Sequence, residues 1–165
     1  MKKLLLLLLL VPVFSFGQTA DDLNNRGNAK QDNKDYYGAI NDYSKAIELN
    51  PDIAYYYDNR GLAKLMLEDF YGAVYDLYKV IELEPANFGA YNKSGVAKIN
   101  LEDYYGAIND LSKAIELKPD YVDAYNNRGS AKYLLGDFNG ACGDWRKATS
   151  LGSESSAQMV RDGCN

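Results

Sequence analysis

The chain has 165 residues and a formal net charge of −5, with 18 lysines and arginines against 23 aspartates and glutamates. This acidic balance argues against nucleic acid and anionic lipid surfaces as partners. The sequence contains no histidine, which removes the commonest general base and the commonest metal ligand. The length allows one domain with a sizeable hydrophobic core.

Residues 1–17 have the pattern of a secretory signal peptide. Two lysines precede an unbroken apolar run from Leu4 to Phe14, and small residues follow at Ser15 and Gly17. The run is too short to span a bilayer comfortably. We therefore expect cleavage after Gly17 and an exported protein, periplasmic or secreted, with no transmembrane segment. Cleavage would remove both lysines and lower the net charge to −7. An uncleaved membrane anchor is the alternative.

The remaining sequence, residues 18–165, repeats with a period of 34 residues. The segment from Tyr91 to Pro119 recurs as Tyr57 to Pro85, and further copies open at Leu23 and Tyr125. A fixed period of this length indicates one supersecondary unit repeated in series, in which each unit buries its apolar face against its neighbours.

Each copy reads as a pair of helices. An aspartate stands where the second helix begins and can accept a hydrogen bond from its free N–H groups. In the first three copies a proline follows the second helix, and the apolar residues between have helical spacing. We expect helices near residues 20–33, 36–50, 54–67, 70–84, 88–101, 104–118, 122–135 and 138–151. The repeats then cover about 20–53, 54–87, 88–121 and 122–155, and residues 156–165 form a C-terminal cap.

Small residues at matching positions indicate where the two helices of each hairpin approach each other. Gly95 on a first helix and Ala107 on the following second helix lie at similar distances from the turn. We expect the two backbones to approach closely there.

The copies resemble the tetratricopeptide repeat (TPR), whose 34-residue signature sets an aromatic residue, glycine, alanine, a second large residue and proline at fixed spacing. The third copy matches it at Tyr91, Gly95, Ala107, Leu111 and Pro119. The resemblance implies an all-α fold: a right-handed α-solenoid of four tandem helix-turn-helix repeats plus a short C-terminal capping helix.

Two positions depart from the signature. Arginine precedes the glycine in three copies, and lysine stands three residues after it in all four. We expect these changes to alter the surface and not the packing. The residues are Arg26, Arg60, Arg128, Lys30, Lys64, Lys98 and Lys132.

In this family the first helices line a concave groove, so the resemblance implies a scaffold that binds a protein or peptide. An apolar floor under a rim of side-chain amides would suit an extended peptide or a helix. Family members that clamp a C-terminal carboxylate use lysine and arginine where this chain has Asn24, Asn92 and Val96, so we do not expect that ligand. The groove-facing residues would be Asn24, Asn28, Tyr55, Asp58, Leu62, Leu65, Asn92, Val96, Ile99, Asn126, Ser130 and Tyr133.

Charged residues recur at matching heights on the two helices of a hairpin. The acids could form a row of cation ligands, but structural ion pairs are the simpler interpretation. Asp110 faces Ser94 instead of an arginine, and we expect it to be the least restrained acid. The expected pairs are Arg26 with Asp42, Arg60 with Asp76 and Arg128 with Asp144.

Most of the fifteen tyrosines occupy positions that fill gaps between helices. Tyr55 and Tyr133 lie off the packing face and are candidate ligand contacts. Those expected to pack are Tyr43, Tyr57, Tyr91, Tyr104 and Tyr125.

Cys142 replaces the aliphatic residue of the other copies, at Ile40, Val74 and Ile108. It should face the segment that covers the last hairpin, and that segment carries Cys164. We expect a disulfide bond between the two, which would close a loop of about 22 residues and stabilise the fold by about 3 kcal/mol. The alternative is two separate thiols.

The sequence offers no arrangement for catalysis. It has no Ser/His/Asp or Cys/His set, no glycine-rich phosphate loop and no zinc-ligand spacing. We expect a non-enzymatic scaffold with no cofactor and no metal. Two alternatives stay open: a self-associating or structural subunit of a cell-envelope complex, as a homo-oligomer, and glycan binding through exposed tyrosines.

Overall fold

The computed structural model describes residues 18–164, so the expected signal peptide lies outside the described residues. Within that range the chain is helical throughout, with no strand. The helices are α1 (Ala20–Asp32), α2 (Tyr36–Leu49), α3 (Ala54–Met66), α4 (Phe70–Leu83), α5 (Phe88–Asn100), α6 (Tyr104–Leu117), α7 (Val122–Leu135), α8 (Phe138–Ser150) and α9 (Glu154–Gly163). The first eight end within one residue of the predicted bounds, and α9 begins two residues before the predicted cap.

The helices pack in chain order. α1 pairs with α2, α3 with α4, α5 with α6 and α7 with α8, and each pair contacts the next through its second helix. α9 covers α8. No helix within residues 18–164 is long and apolar enough to cross a membrane. The result is an α-helical repeat solenoid.

The turn inside each hairpin has the same geometry in all four repeats. The aspartate before the second helix accepts a hydrogen bond from the glycine N–H three residues later, as Asp69 does from Gly72 at 3.0 Å. The preceding residue has a left-handed backbone, with φ of 60° at Glu68 and 92° at Gly136. The N–H of Asp69 bonds back to the carbonyl of Lys64, which closes the first helix with a Schellman motif.

In three repeats the glycine of the first helix makes room for one large side chain of the second helix. A Cβ at Gly95 would lie 2.5 Å from Cγ of Leu111, so the close partner is Leu111 and not Ala107 as expected. Leu111 stands sixteen residues beyond the glycine, and the residue at that spacing in the other repeats is also buried. Those residues are Tyr43, Leu77 and Trp145.

The last hairpin is tied to its cover by a covalent bond. Cys142 on α8 and Cys164 at the end of α9 form a disulfide with a Cα–Cα distance of 5.6 Å. Arg146 Nη2 also donates to the carbonyl of Cys164 at 3.1 Å. Both ends of α9 are therefore attached to the last hairpin, because Ser153 and Ser156 at its N-terminal end are hydrogen-bonded to Asn126 on α7.

The glycines provide a matched test of this packing. Gly95→Ala should destabilise the fold by about 1–3 kcal/mol, because buried Leu111 has no space to move. At Gly61 a Cβ would meet its nearest neighbours, Asp76 and Leu77, at 3.4 Å, which is ordinary contact. Gly61→Ala should be neutral or stabilising by up to about 1 kcal/mol, through helix propensity. Urea unfolding followed by circular dichroism measures both; equal destabilisation would contradict the assignment.

Candidate partner-binding groove

The first helices of the repeats lie on the inside of the solenoid. α1 contacts α3, α3 contacts α5 and α5 contacts α7, whereas second helices of successive repeats make no comparable contact within the described residues. Because the first helices are closer together, the array curves around them. Their free faces form a concave surface, which we call the groove.

The apolar floor of the groove lies at its centre. The residue after the hairpin glycine is Leu62 in the second repeat and Val96 in the third, and both are half-buried. The same position holds Asn28 and Ser130 in the outer repeats, so the floor is bounded by polar side chains. Of the other expected floor residues, Leu65 packs against the core around Leu77, and Ile99 packs against the core around Leu111.

The expected rim of free amides is wrong at two positions. Asn24 is 1% exposed and Asn92 8% exposed. Asn59 Nδ2 donates to Asn24 Oδ1 at 2.9 Å, and Asn127 Nδ2 donates to Asn92 Oδ1 at 3.0 Å. These amides join the first helix of one repeat to that of the next, so they are not available to a bound peptide.

Other expected groove residues hold the same seam between first helices. The Asp58 carboxylate receives Lys93 Nζ, with both oxygens at 2.7 Å. Asn126 Nδ2 donates to Ser153 Oγ at 3.2 Å, and its Oδ1 accepts from the hydroxyl of Ser156. The seam therefore continues from repeat to repeat and into the capping helix.

Asn28 lies between two tyrosine hydroxyls at the N-terminal end of the groove. Tyr43 donates to its Oδ1 at 2.8 Å, and its Nδ2 donates to the Tyr55 hydroxyl at 3.0 Å. Burial raises the pKa of Tyr43 to about 12, whereas hydrogen bonding to Asn59, Asn24 and Asn28 lowers the pKa of Tyr55. Tyr55 is 50% exposed, so one side of its ring remains open.

The predicted division of the tyrosines into packed and exposed residues is only partly correct. Tyr43 and Tyr57 are buried, and Tyr91, Tyr104 and Tyr125 are half-buried. Sequence reasoning missed five tyrosines on the second helices that are 61–77% exposed. Three occupy the same position in successive repeats and two more follow on α4. They are Tyr37, Tyr71, Tyr105, Tyr75 and Tyr78.

The repeated acid is the centre of a buried ionic cluster inside each hairpin. In the second repeat Arg60 Nε and Nη2 donate to the two oxygens of Asp76 at 2.9 and 2.7 Å, and Lys64 Nζ lies 2.8 Å from Oδ2. The Asp76 side chain is fully buried. The first and fourth repeats have the same arrangement around Asp42 and Asp144.

One sequence expectation about these charges is therefore wrong. The arginine and lysine that depart from the TPR signature are part of the packing and not only of the surface. Asp110 has one cation instead of two and is the most exposed of the four acids, as expected, but Ser94 Oγ and Lys98 Nζ each lie 2.6 Å from its Oδ2. Among the described residues no group of three or more acids, cysteines or histidines is placed to hold a metal ion.

The ionic clusters also connect successive repeats. Arg60 Nη1 donates to Ser44 Oγ on the preceding second helix at 3.0 Å, and Arg128 does the same to Ser112. In the third repeat both members of this contact differ, because Ser94 replaces the arginine and Tyr78 replaces the serine.

A cavity of about 420 Å³ lies at the C-terminal end of the groove, between α7, α8 and α9. Two predicted groove residues, Ser130 and Tyr133, line it. Sequence reasoning missed its other walls, which come from the end of α7, from the buried Trp145 of α8 and from the cap. These are Leu134, Trp145, Met159, Asp162 and Gly163.

Comparison with known proteins agrees with this fold. The family model of the tetratricopeptide repeat matches residues 20–53, and a second TPR model matches residues 97–136. The TPR domain of Arabidopsis OM64 is 31% identical, over 70% of this chain and 95% of that domain, with a TM-score of 0.67. The chain belongs to the tetratricopeptide repeat family.

Other solved TPR structures are similar. The first TPR domain of Spaghetti (RPAP3), bound to the HSP90 peptide SRMEEVD, is 27% identical over 72% of this chain and 94% of that one, with a TM-score of 0.70. MamA of Desulfovibrio magneticus RS-1 is 23% identical, over 82% of this chain and 76% of that one, and its TM-score of 0.79 shows a shared fold. None of the curated proteins searched matches this TPR protein.

The cluster around Asp42 makes stability depend on pH. Hydrogen bonds from Arg26, against the opposing effect of burial, lower the pKa of Asp42 from 3.8 to about 2. The stabilisation of the fold by ionised Asp42 is complete above about pH 4 and is lost as pH falls through about 2. As the pH falls, Asp42 binds a proton in the unfolded chain before it does so in the folded protein. The resulting loss in the free energy of unfolding is up to about 2 kcal/mol. Solvent screening at the half-exposed Arg26 makes the loss smaller than this limit.

Asp42→Asn should remove this part of the acid sensitivity. The difference in urea midpoint between wild type and variant should be smaller near pH 2.5 than near pH 5. A constant difference between the two proteins across that range would show that Asp42 does not titrate as assigned.

Proposed function

We propose that this TPR protein is a non-catalytic scaffold that binds a peptide segment of a partner protein in the groove. An apolar floor at Leu62 and Val96, open between polar ends, suits apolar side chains of an extended or helical segment. The family is generally one of interaction scaffolds, and RPAP3 shows one relative with a peptide bound.

The charges favour a neutral or basic segment. All eight cations on α1, α3, α5 and α7 are ion-paired to aspartate. An acidic peptide would therefore have to break an existing pair to gain one, and breaking a buried pair is costly. The peptide seen on RPAP3, SRMEEVD, is acidic, so we do not expect it to bind here.

Substitutions in the floor test the groove. A labelled twelve-residue peptide of alternating leucine and lysine serves as the probe, with SRMEEVD as the acidic comparison, in fluorescence polarisation. Leu62→Gln or Val96→Gln should weaken binding of the basic peptide about tenfold, because one apolar contact of about 1–2 kcal/mol is lost. SRMEEVD should not bind measurably.

The matched control is Leu49→Gln. Leu49 is 59% exposed and lies at the end of α2, outside the groove. It should leave the affinity unchanged. Equal loss in the control, or tighter binding of SRMEEVD than of the basic peptide, would refute the proposed groove. Circular dichroism verifies that every variant stays helical.

We further propose that the protein is exported. The pattern of residues 1–17 supports this, and so does the disulfide between Cys142 and Cys164, since such bonds persist in oxidising compartments. The intact mass of the native protein should lack residues 1–17 and should rise by two hydrogens on reduction. A mass that retains residue 1, or two free thiols in freshly isolated protein, would count against export.

Self-association is a second candidate function. The exposed tyrosines of the second helices, Tyr37, Tyr71, Tyr75, Tyr78 and Tyr105, favour it, because large exposed apolar patches mark interaction surfaces. Sedimentation separates the two functions: a mass that rises with protein concentration would favour a structural subunit over a monomeric peptide binder.

A further inference from the structure

The cavity at the C-terminal end of the groove combines a large volume with an aromatic wall. About 420 Å³ falls within the range of sites that enclose a small ligand. Three of its apolar side chains, Tyr133, Leu134 and Met159, are each about half exposed. Apolar side chains that converge on a concavity, and are left in water there, mark a site for an apolar group.

The wall is held rigidly. The Tyr133 ring meets Phe138 edge-on, with centroids 5.2 Å apart, and lies 5.7 Å from the Trp145 ring. Trp145 packs on Gly129, where a Cβ would lie 2.5 Å from Nε1. These contacts pack the Tyr133 and Trp145 rings against the last hairpin at the edge of the cavity.

The repeat register shows how this space differs from the corresponding places in the earlier described repeats. Met159 stands 34 residues after Tyr125, and no second helix follows α9 in the described chain. A thinner side chain thus stands where the second, third and fourth repeats have tyrosine, and among the described residues no helix after α9 closes the space. α9 covers the last hairpin but leaves the cavity between α7, α8 and α9 open.

At one position beside the cavity the charge is opposite in sign to that of the earlier repeats. Asp162 stands 34 residues after Arg128, at the position that holds arginine in three of the repeats. Its carboxylate accepts a hydrogen bond from Gln158 Nε2 at 2.6 Å. It is the one ionised side chain among the residues that line the cavity. A cation beside an apolar group is therefore the complementary ligand.

We propose that this cavity is the anchor site for the bound segment. It takes one long aliphatic or aromatic side chain of the peptide, and Asp162 pairs with an adjacent lysine or arginine. This inference rests on the proposed function and deepens it, since it names where on the groove the peptide is fixed and by which chemistry.

α9 supplies one wall of the anchor site, so the attachment of α9 controls it. The disulfide between Cys142 and Cys164 fixes the C-terminal end of α9, and Asn126 with Ser153 and Ser156 fixes the other end. Reduction releases the first of these attachments. Binding of the peptide should therefore weaken in reductant, while the floor at Leu62 stays intact.

Trp145 allows the site to be observed directly, because it is the only tryptophan of the chain and lines the cavity. The leucine–lysine peptide should change its emission and give the same dissociation constant as polarisation. Met159→Gln should weaken binding about tenfold, and Asp162→Asn should weaken it severalfold and reduce its salt dependence. Replacing every lysine of the peptide by glutamate should abolish the Trp145 response.

Leu49→Gln is again the control, since Leu49 is exposed and lies at the end of a second helix, outside both the groove and the cavity; it should bind normally. If Leu62→Gln weakens binding while Met159→Gln, Asp162→Asn and the Trp145 emission show no effect, the anchor site is wrong and the groove stands. If none of these variants changes binding, both proposals fail. Asp162→Asn replaces an exposed side chain, so its result does not depend on refolding of the cap.

Discussion

One buried aspartate between an arginine and a lysine sets the geometry of three of the four hairpins. At Asp76 the carboxylate has no access to water and receives Nε and Nη2 of Arg60 and Nζ of Lys64. Both cations come from the first helix and the acid from the second. The ionic contacts therefore fix the position of one helix along the axis of the other. Losing one member would leave a buried charge without its partner, which is far more costly than losing a surface ion pair.

The same constraint decides what the groove can bind. Asp42, Asp76, Asp110 and Asp144 hold seven of the eight cations of the first helices inside the hairpins, and Asp58 holds Lys93. The concave face therefore keeps the apolar surface of Leu62 and Val96 without a free positive charge. The amide seam has a similar consequence. Asn59 with Asn24 and Asn127 with Asn92 use their hydrogen-bonding groups between repeats. The stacking of the solenoid and the selectivity of its groove thus depend on the same side chains.

The sequence predicted the helices almost to the residue, because Asp69 and Pro85 are local signals and need no tertiary context. It could not predict where the polar side chains point. Repetition reveals contacts within one hairpin, such as Arg60 with Asp76, but the seam joins residues 35 apart, such as Lys93 with Asp58. An asparagine on a first helix has the same pattern whether it lines a groove or a seam. Asp110 looked unpaired because the sequence comparison considered the arginine position and not Lys98.

Beyond the fourth repeat the described residues depart from this regularity, and that departure accounts for the cavity. An internal repeat is covered on both sides, so tyrosine at positions such as Tyr91 and Tyr125 fills the space before the next helix. Within the described residues α9 corresponds to the first helix of a further repeat, with Met159 in place of the tyrosine and Asp162 in place of the arginine. A cap with no role beyond solubility would present polar residues at these positions. Met159 and Leu134 instead leave apolar surface open beside the carboxylate of Asp162.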